Sequence, residues 1–90
     1  MGVRIVIPSF LRHFTNKLES VEVNGSSVSG CLNNLTKRFP DIEKTLFNKN
    51  GELMSYVSIY VNGEDSYPEG VAKPVEDGDE LHILYIIDGG

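Results

Sequence analysis

A chain of 90 residues with a formal net charge of −5 has room for one small domain and excludes two. Hydrophobic residues at 40% and charged residues at 23% are ordinary for a globular protein and argue against disorder. The single cysteine, Cys31, excludes an intramolecular disulfide framework and a cysteine-based zinc knuckle.

No stretch approaches the roughly 20 apolar residues that cross a bilayer, and the N-terminal apolar run is too short for a signal peptide. The chain therefore reads as cytoplasmic, with no membrane partner. Met1-Gly2 suggests myristoylation, but the strand-like run that follows and Pro8 place these residues in a sheet. Charge is unevenly placed: residues 64–90 carry eight acids against Lys73 alone, whereas residues 1–63 carry five acids and seven bases. An acidic C-terminal third repels a phosphate backbone, so nucleic acid is not an expected partner.

In chain order, "VRIVIP" alternates Val3, Ile5 and Ile7 with Arg4 and Val6, the period of a strand with one buried face, and Pro8 ends it. "SFLRHFTNK" reads as a connection with Phe10, Leu11 and Phe14 folding back. "LESVEVNG" reads as a second strand, with Leu18, Val21 and Val23 apolar and Asn24-Gly25 turning the chain, so the two strands form a hairpin. In "SSVSGCLNNLTKRFP" the period changes. Val28, Cys31, Leu32, Leu35 and Phe39 make one helical stripe, Ser27 caps the first free amides and Pro40 stops the helix. "DIEKTLFNKNG" holds at most one further short turn.

"LMSYVSIYVNGED" reads as a strand with Val57, Ile59 and Val61 on one side and Tyr56, Ser58 and Tyr60 on the other, and "NGED" turns it. A turn-rich acidic stretch then leads to "LHILYII". There Leu81, Ile83 and Tyr85 share one face and His82, Leu84 and Ile86 the other. Apolar residues on both faces suit a central strand, or one whose outer face meets a partner. The expected fold is α+β: one mixed sheet packed on one main helix, the β-grasp layout of ubiquitin-like proteins, over residues 1–87, with 88–90 as a flexible Gly-Gly tail.

Reactive groups do not converge. His13 falls in a loop, and Cys31 falls in the apolar stripe of the helix. Glu76, Asp77, Asp79 and Glu80 lack the spacing of a calcium loop, and "NGEDSYPEG" lacks that of a phosphate loop. No catalytic residue, bound cofactor or metal site is expected, and the protein reads as something other than an enzyme. What stands out is "DGG" directly after the last strand. Glycine has no Cβ, so Gly89 and Gly90 can thread a narrow channel and present a carboxylate to a bound nucleotide.

The whole chain resembles the MoaD/ThiS family of ubiquitin-like sulfur carriers, and within it the CysO-type carriers of a thiocarboxylate route to cysteine. "IPSFLRHFT", "SIYVNGEDSYPEG" and "VEDGDELHILYIIDGG" carry the resemblance, across residues 2–90. It implies that a ubiquitin-activating-type enzyme uses ATP to adenylate Gly90, with Gly89 giving access, and that a sulfur donor converts Gly90 to a thiocarboxylate. It further implies a pyridoxal-phosphate (PLP)-dependent cysteine synthase as acceptor enzyme and a zinc metalloprotease that releases cysteine. Leu84 and Ile86, with His82 and Tyr60 beside them, are the expected docking surface, on the exposed-apolar argument. The alternatives are a MoaD-type subunit of molybdopterin synthase, a ThiS-type carrier for thiamin synthase, a protein modifier attached through Gly90, and a plain interaction module.

Overall fold

The structure is a computed structural model that describes residues 2–86. Strand β1 (Val3–Val6) pairs antiparallel with β2 (Ser20–Val23), setting Val3 opposite Val23 and Ile5 opposite Val21. All four are buried, which is what the two-residue period of β1 predicts. Helix α1 (Val28–Arg38) follows, with the Ser27 hydroxyl accepting the Gly30 amide at 3.1 Å. That cap is worth about 1 kcal/mol, roughly what Gly30 costs inside the helix relative to alanine. The stripe of Val28, Cys31, Leu32 and Leu35 is fully buried against the sheet, at about 1.5–3 kcal/mol for each large aliphatic side chain.

A 3-10 turn (Pro40–Ile42) runs into the short helix α2 (Glu43–Leu46), and Ile42 of the turn with Leu46 of the helix closes the core beside α1. Strand β3 (Val57–Val61) follows, then β4 (Glu64–Asp65) and, after a 3-10 turn (Gly70–Ala72), β5 (Glu80–Tyr85). The sheet order is β2-β1-β5-β3-β4. β5 is central, parallel to β1 and antiparallel to β3. This is the α+β, β-grasp arrangement, with one mixed sheet and one main helix.

Three expectations from the sequence change. "NGED" is a hairpin, not a turn alone: Asn62 (φ 53°) and Gly63 (φ 88°) make a left-handed pair of the type that joins two strands, and Glu64 and Asp65 then pair with Val61 and Tyr60. Leu18 precedes β2 and is exposed, because Asn16 and Lys17, both at positive φ, reverse the chain before Ser20. Phe10 does not fold back into the core. It lies in a 3-10 helix (Ser9–Thr15) that buries Leu11 and Thr15, and Phe10 stays 55% exposed. The boundary expected at residues 87 and 88 lies outside the described residues.

Candidate docking face

Because side chains alternate along a strand, burying Leu81 and Ile83 under α1 turns His82 and Leu84 to the opposite side of β5. No helix covers that side among the described residues. On the neighbouring strands Tyr60 stands opposite His82, Ser58 opposite Leu84, and Val6 beside His82. A row of Val6, His82 and Tyr60 thus crosses three strands, flanked by Leu84. Leu84 is 42% exposed and Ile86, just past the strand, 60%. The Ile86 amide still donates to the Tyr56 carbonyl at 2.7 Å, so this position is held to the sheet.

The four expected docking residues, Tyr60, His82, Leu84 and Ile86, therefore lie along one side of the sheet. Val6 joins them and was not singled out from the sequence. Its signal was there, as an apolar residue at an outward position of an alternating strand. Together they form a continuous surface of apolar and aromatic groups around the centre of the sheet, the kind that marks a protein interaction site.

At the other end of the face, charge replaces apolar surface. Glu80 sits beside Arg4, whose guanidinium contacts its carboxylate at 2.7 Å, while His82 Nε2 donates to its other oxygen at 2.8 Å. The hydrogen bond from His82, joined by that from Arg4 and its charge, holds the Glu80 carboxyl below its usual range. Asn62 clamps the neighbouring backbone: its Oδ1 accepts the Glu80 amide at 2.9 Å and its Nδ2 donates to Asp79 at 3.0 Å. Asp79 also accepts the Glu76 amide, and its carboxyl is likewise lowered, chiefly by the bond from Asn62. These acids close a turn and fix the start of β5.

The remaining reactive groups stay apart. His13 is exposed, with its ring 4.0 Å from that of Phe14. Cys31 is fully buried, and burial, then the charge of Asp79, pushes its thiol up. Among the described residues no group of His, Cys, Asp and Glu has the makings of a metal site, and no helix is long and apolar enough to cross a membrane. Gly89 and Gly90 lie outside the described residues, four positions or fewer past Ile86 in the sequence.

The family model of the ThiS family matches residues 5–90. The sulfur carrier protein CysO of Mycobacterium tuberculosis is 33% identical over 93 residues, covering 100% of both chains. A chain of the BexX/CysO complex from Amycolatopsis orientalis superposes with a TM-score of 0.88 at 33% identity, over 99% of this chain and 100% of that one. Small archaeal modifier protein 1 from Methanosarcina acetivorans superposes with a TM-score of 0.84 at 26% identity, over 98% of this chain and 95% of that one. The chain belongs to the ThiS family, as a ubiquitin-like β-grasp protein that resembles sulfur carriers of the CysO type over its full length.

Proposed function

We propose that this protein carries sulfur on Gly90 and delivers it for cysteine synthesis in the cytoplasm, as a co-substrate of partner enzymes and not as a catalyst. A carboxylate is a poor electrophile because attack on it must expel oxide. The partner adenylating enzyme therefore joins the Gly90 carboxylate to AMP and releases pyrophosphate from ATP. Sulfide then attacks the carbonyl carbon, the bond to AMP breaks, and AMP leaves with the electron pair. The product is a thiocarboxylate, with one oxygen of the original carboxylate replaced by sulfur. ATP is bound by the partner, and this chain needs no cofactor of its own.

The observation that carries the reading is the placement of the docking face. Leu84 on the central strand and Ile86 just past its end come immediately before the segment that ends in Gly89-Gly90, so an enzyme that docks there has Gly90 within reach. The full-length likeness to CysO supports the branch, and the BexX/CysO complex supports association with a partner protein. On the CysO route a PLP-dependent cysteine synthase accepts the sulfur and a zinc metalloprotease frees the cysteine. The direct test is to supply thiocarboxylated protein to such a synthase with an activated serine: cysteine attached to Gly90 is expected, whereas transfer only to a molybdopterin or thiamin precursor selects the MoaD-type or ThiS-type alternative.

A second reading rests on the 26% likeness to a small archaeal modifier protein. On it the Gly90 adenylate is attacked by a target lysine to give an isopeptide bond. Covalent adducts that shift the protein upward on denaturing gels and vanish on loss of Gly90 would favour that reading.

A further inference from the structure

The chain topology gathers three aromatic rings from distant segments at one point. β1 runs parallel to β5, so the residues after β1 lie at the same end of the sheet as the end of β5; β3 runs antiparallel, so the residues before β3 lie there too. Phe10 and Tyr56 thereby flank Tyr85. The ring of Phe10 stands edge-on to that of Tyr85 at 4.9 Å and 80°, and Tyr56 is tilted against it at 5.6 Å. The Tyr85 hydroxyl donates to the Thr45 carbonyl at 2.6 Å, which fixes the central ring against α2. Phe10 is 55% exposed and Tyr56 44%, so two large rings are held in place without being buried.

This cluster lies across the sheet from the docking face. Tyr85 alternates with Leu84 and shares its side with Leu81 and Ile83, the side of α1 and α2. Exposed apolar surface therefore wraps around the end of β5, with Leu84 and Ile86 on one side and the rings on the other. The collar contains no Asp, Glu, Lys, Arg or His, and burial raises the Tyr85 phenol above its ordinary value. Rigid aromatic groups with little entropy left to lose are the residue type that dominates binding energy at protein interfaces.

Distance limits what can meet the collar. Four fully extended residues span at most about 14 Å, so an enzyme that reacts with Gly90 works within that distance of Ile86. An acyl adenylate hydrolyses if water reaches it, so the enzyme that forms it must close around the segment that enters its site. Closing around a strand end brings protein against both of its sides.

Resting on the carrier reading above, we propose that Phe10, Tyr56 and Tyr85 form a second binding element, which packs against an apolar rim at the mouth of the adenylating enzyme's channel for the C-terminal segment. The outer face and the collar then act together as a two-sided grip on β5. The aromatic collar serves activation, the step that needs exclusion of water, whereas transfer from the finished thiocarboxylate depends on the outer face.

The test uses the full chain and the adenylating enzyme of the same organism, with ATP-pyrophosphate exchange as the readout. Replacing both exposed rings, Phe10→Ala with Tyr56→Ala, is expected to raise the KM for the carrier about tenfold, with kcat within about twofold. Each single replacement gives a severalfold rise, and Phe10→Leu with Tyr56→Phe restores most of the affinity. Tyr67→Ala, which removes an 81% exposed ring elsewhere, leaves KM unchanged. Circular dichroism melting of each variant separates binding from folding. A wild-type KM in the folded double variant overturns the proposal, as does a defect confined to transfer from preformed thiocarboxylate to the acceptor enzyme. If the wild-type chain itself supports no exchange with an enzyme active on another carrier, the carrier reading fails and the proposal with it.

Discussion

Asn62 holds Glu80 by its backbone: the side-chain oxygen of Asn62 accepts the Glu80 amide at 2.9 Å, while Asn62 itself sits at a φ of 53°. One residue therefore makes the left-handed turn between β3 and β4 and fixes the start of the strand that carries the proposed docking face. Asn62→Gly keeps the turn and loses the bonds to Glu80 and Asp79, for about 1 kcal/mol. Asn62→Ala loses the bonds and adds about 1–2 kcal/mol of left-handed strain. Urea unfolding should rank the proteins wild type, Asn62→Gly, Asn62→Ala in falling stability.

The proposed docking face makes a different demand. Leu84 and Ile86 are too exposed to contribute much to folding, so Leu84→Asp and Ile86→Asp should each change stability by less than about 1 kcal/mol. Both should weaken partner binding at least tenfold, measured by calorimetric titration with the adenylating enzyme, on the scale of about 1.4 kcal/mol per decade. Unaltered affinity in both variants would mean that the partner docks elsewhere.

Gly25 packs where a side chain has no room. A Cβ there would stand 2.6 Å from the Cys31 sulfur and 2.8 Å from the Cys31 amide nitrogen. Gly25→Ala must push the backbone of β2's exit away from α1 and should cost about 1–3 kcal/mol, seen as a lower urea midpoint. Gly51→Ala, at a φ of 80° with open space around it, should be destabilised by conformational strain alone.

Stability should fall at both ends of the pH range for opposite reasons. The Asp79 carboxyl is lowered in the folded protein, so its contribution is complete above the ordinary value of about 4 and is lost as pH falls through the lower folded value. Asp79→Asn should flatten that acid limb. Burial raises the Cys31 thiol, so the folded state keeps a proton that the unfolded chain gives up above about pH 8.5. Stability is then complete below that value and declines as pH rises toward the raised folded value. Cys31→Ala should flatten the alkaline limb, though it opens a cavity and lowers stability throughout. Urea midpoints across the pH range test both limbs.

Much of this architecture was legible in the residues. The alternation of Val3, Ile5 and Ile7, the helical stripe from Val28 to Leu35, and the two-sided apolar pattern of β5 each fix an element and its buried side. The outward placement of Tyr60, His82, Leu84 and Ile86 followed from the same alternation, since a central strand with apolar groups on both faces must show one set outward. What escaped was set by local geometry and long-range pairing. Glu64 and Asp65 carry no hydrophobic pattern, and their strand exists because the Asn62-Gly63 turn folds them onto β3. Phe10 reads as folding back together with Leu11 and Phe14, but a 3-10 helix turns Leu11 and Thr15 inward and leaves Phe10 exposed. The aromatic collar joins residues 10, 56 and 85, which only the parallel pairing of β1 with β5 and the antiparallel pairing of β3 bring together.

The central claim is that Gly90 carries sulfur, and intact mass tests it most directly. The protein is incubated with ATP, sulfide and the adenylating enzyme of its own organism, and the C-terminal peptide is then mapped. The account predicts a mass gain equal to the exchange of one oxygen for sulfur, located at Gly90 and absent without ATP. An unchanged mass, with an enzyme shown to be active on another carrier, would contradict it.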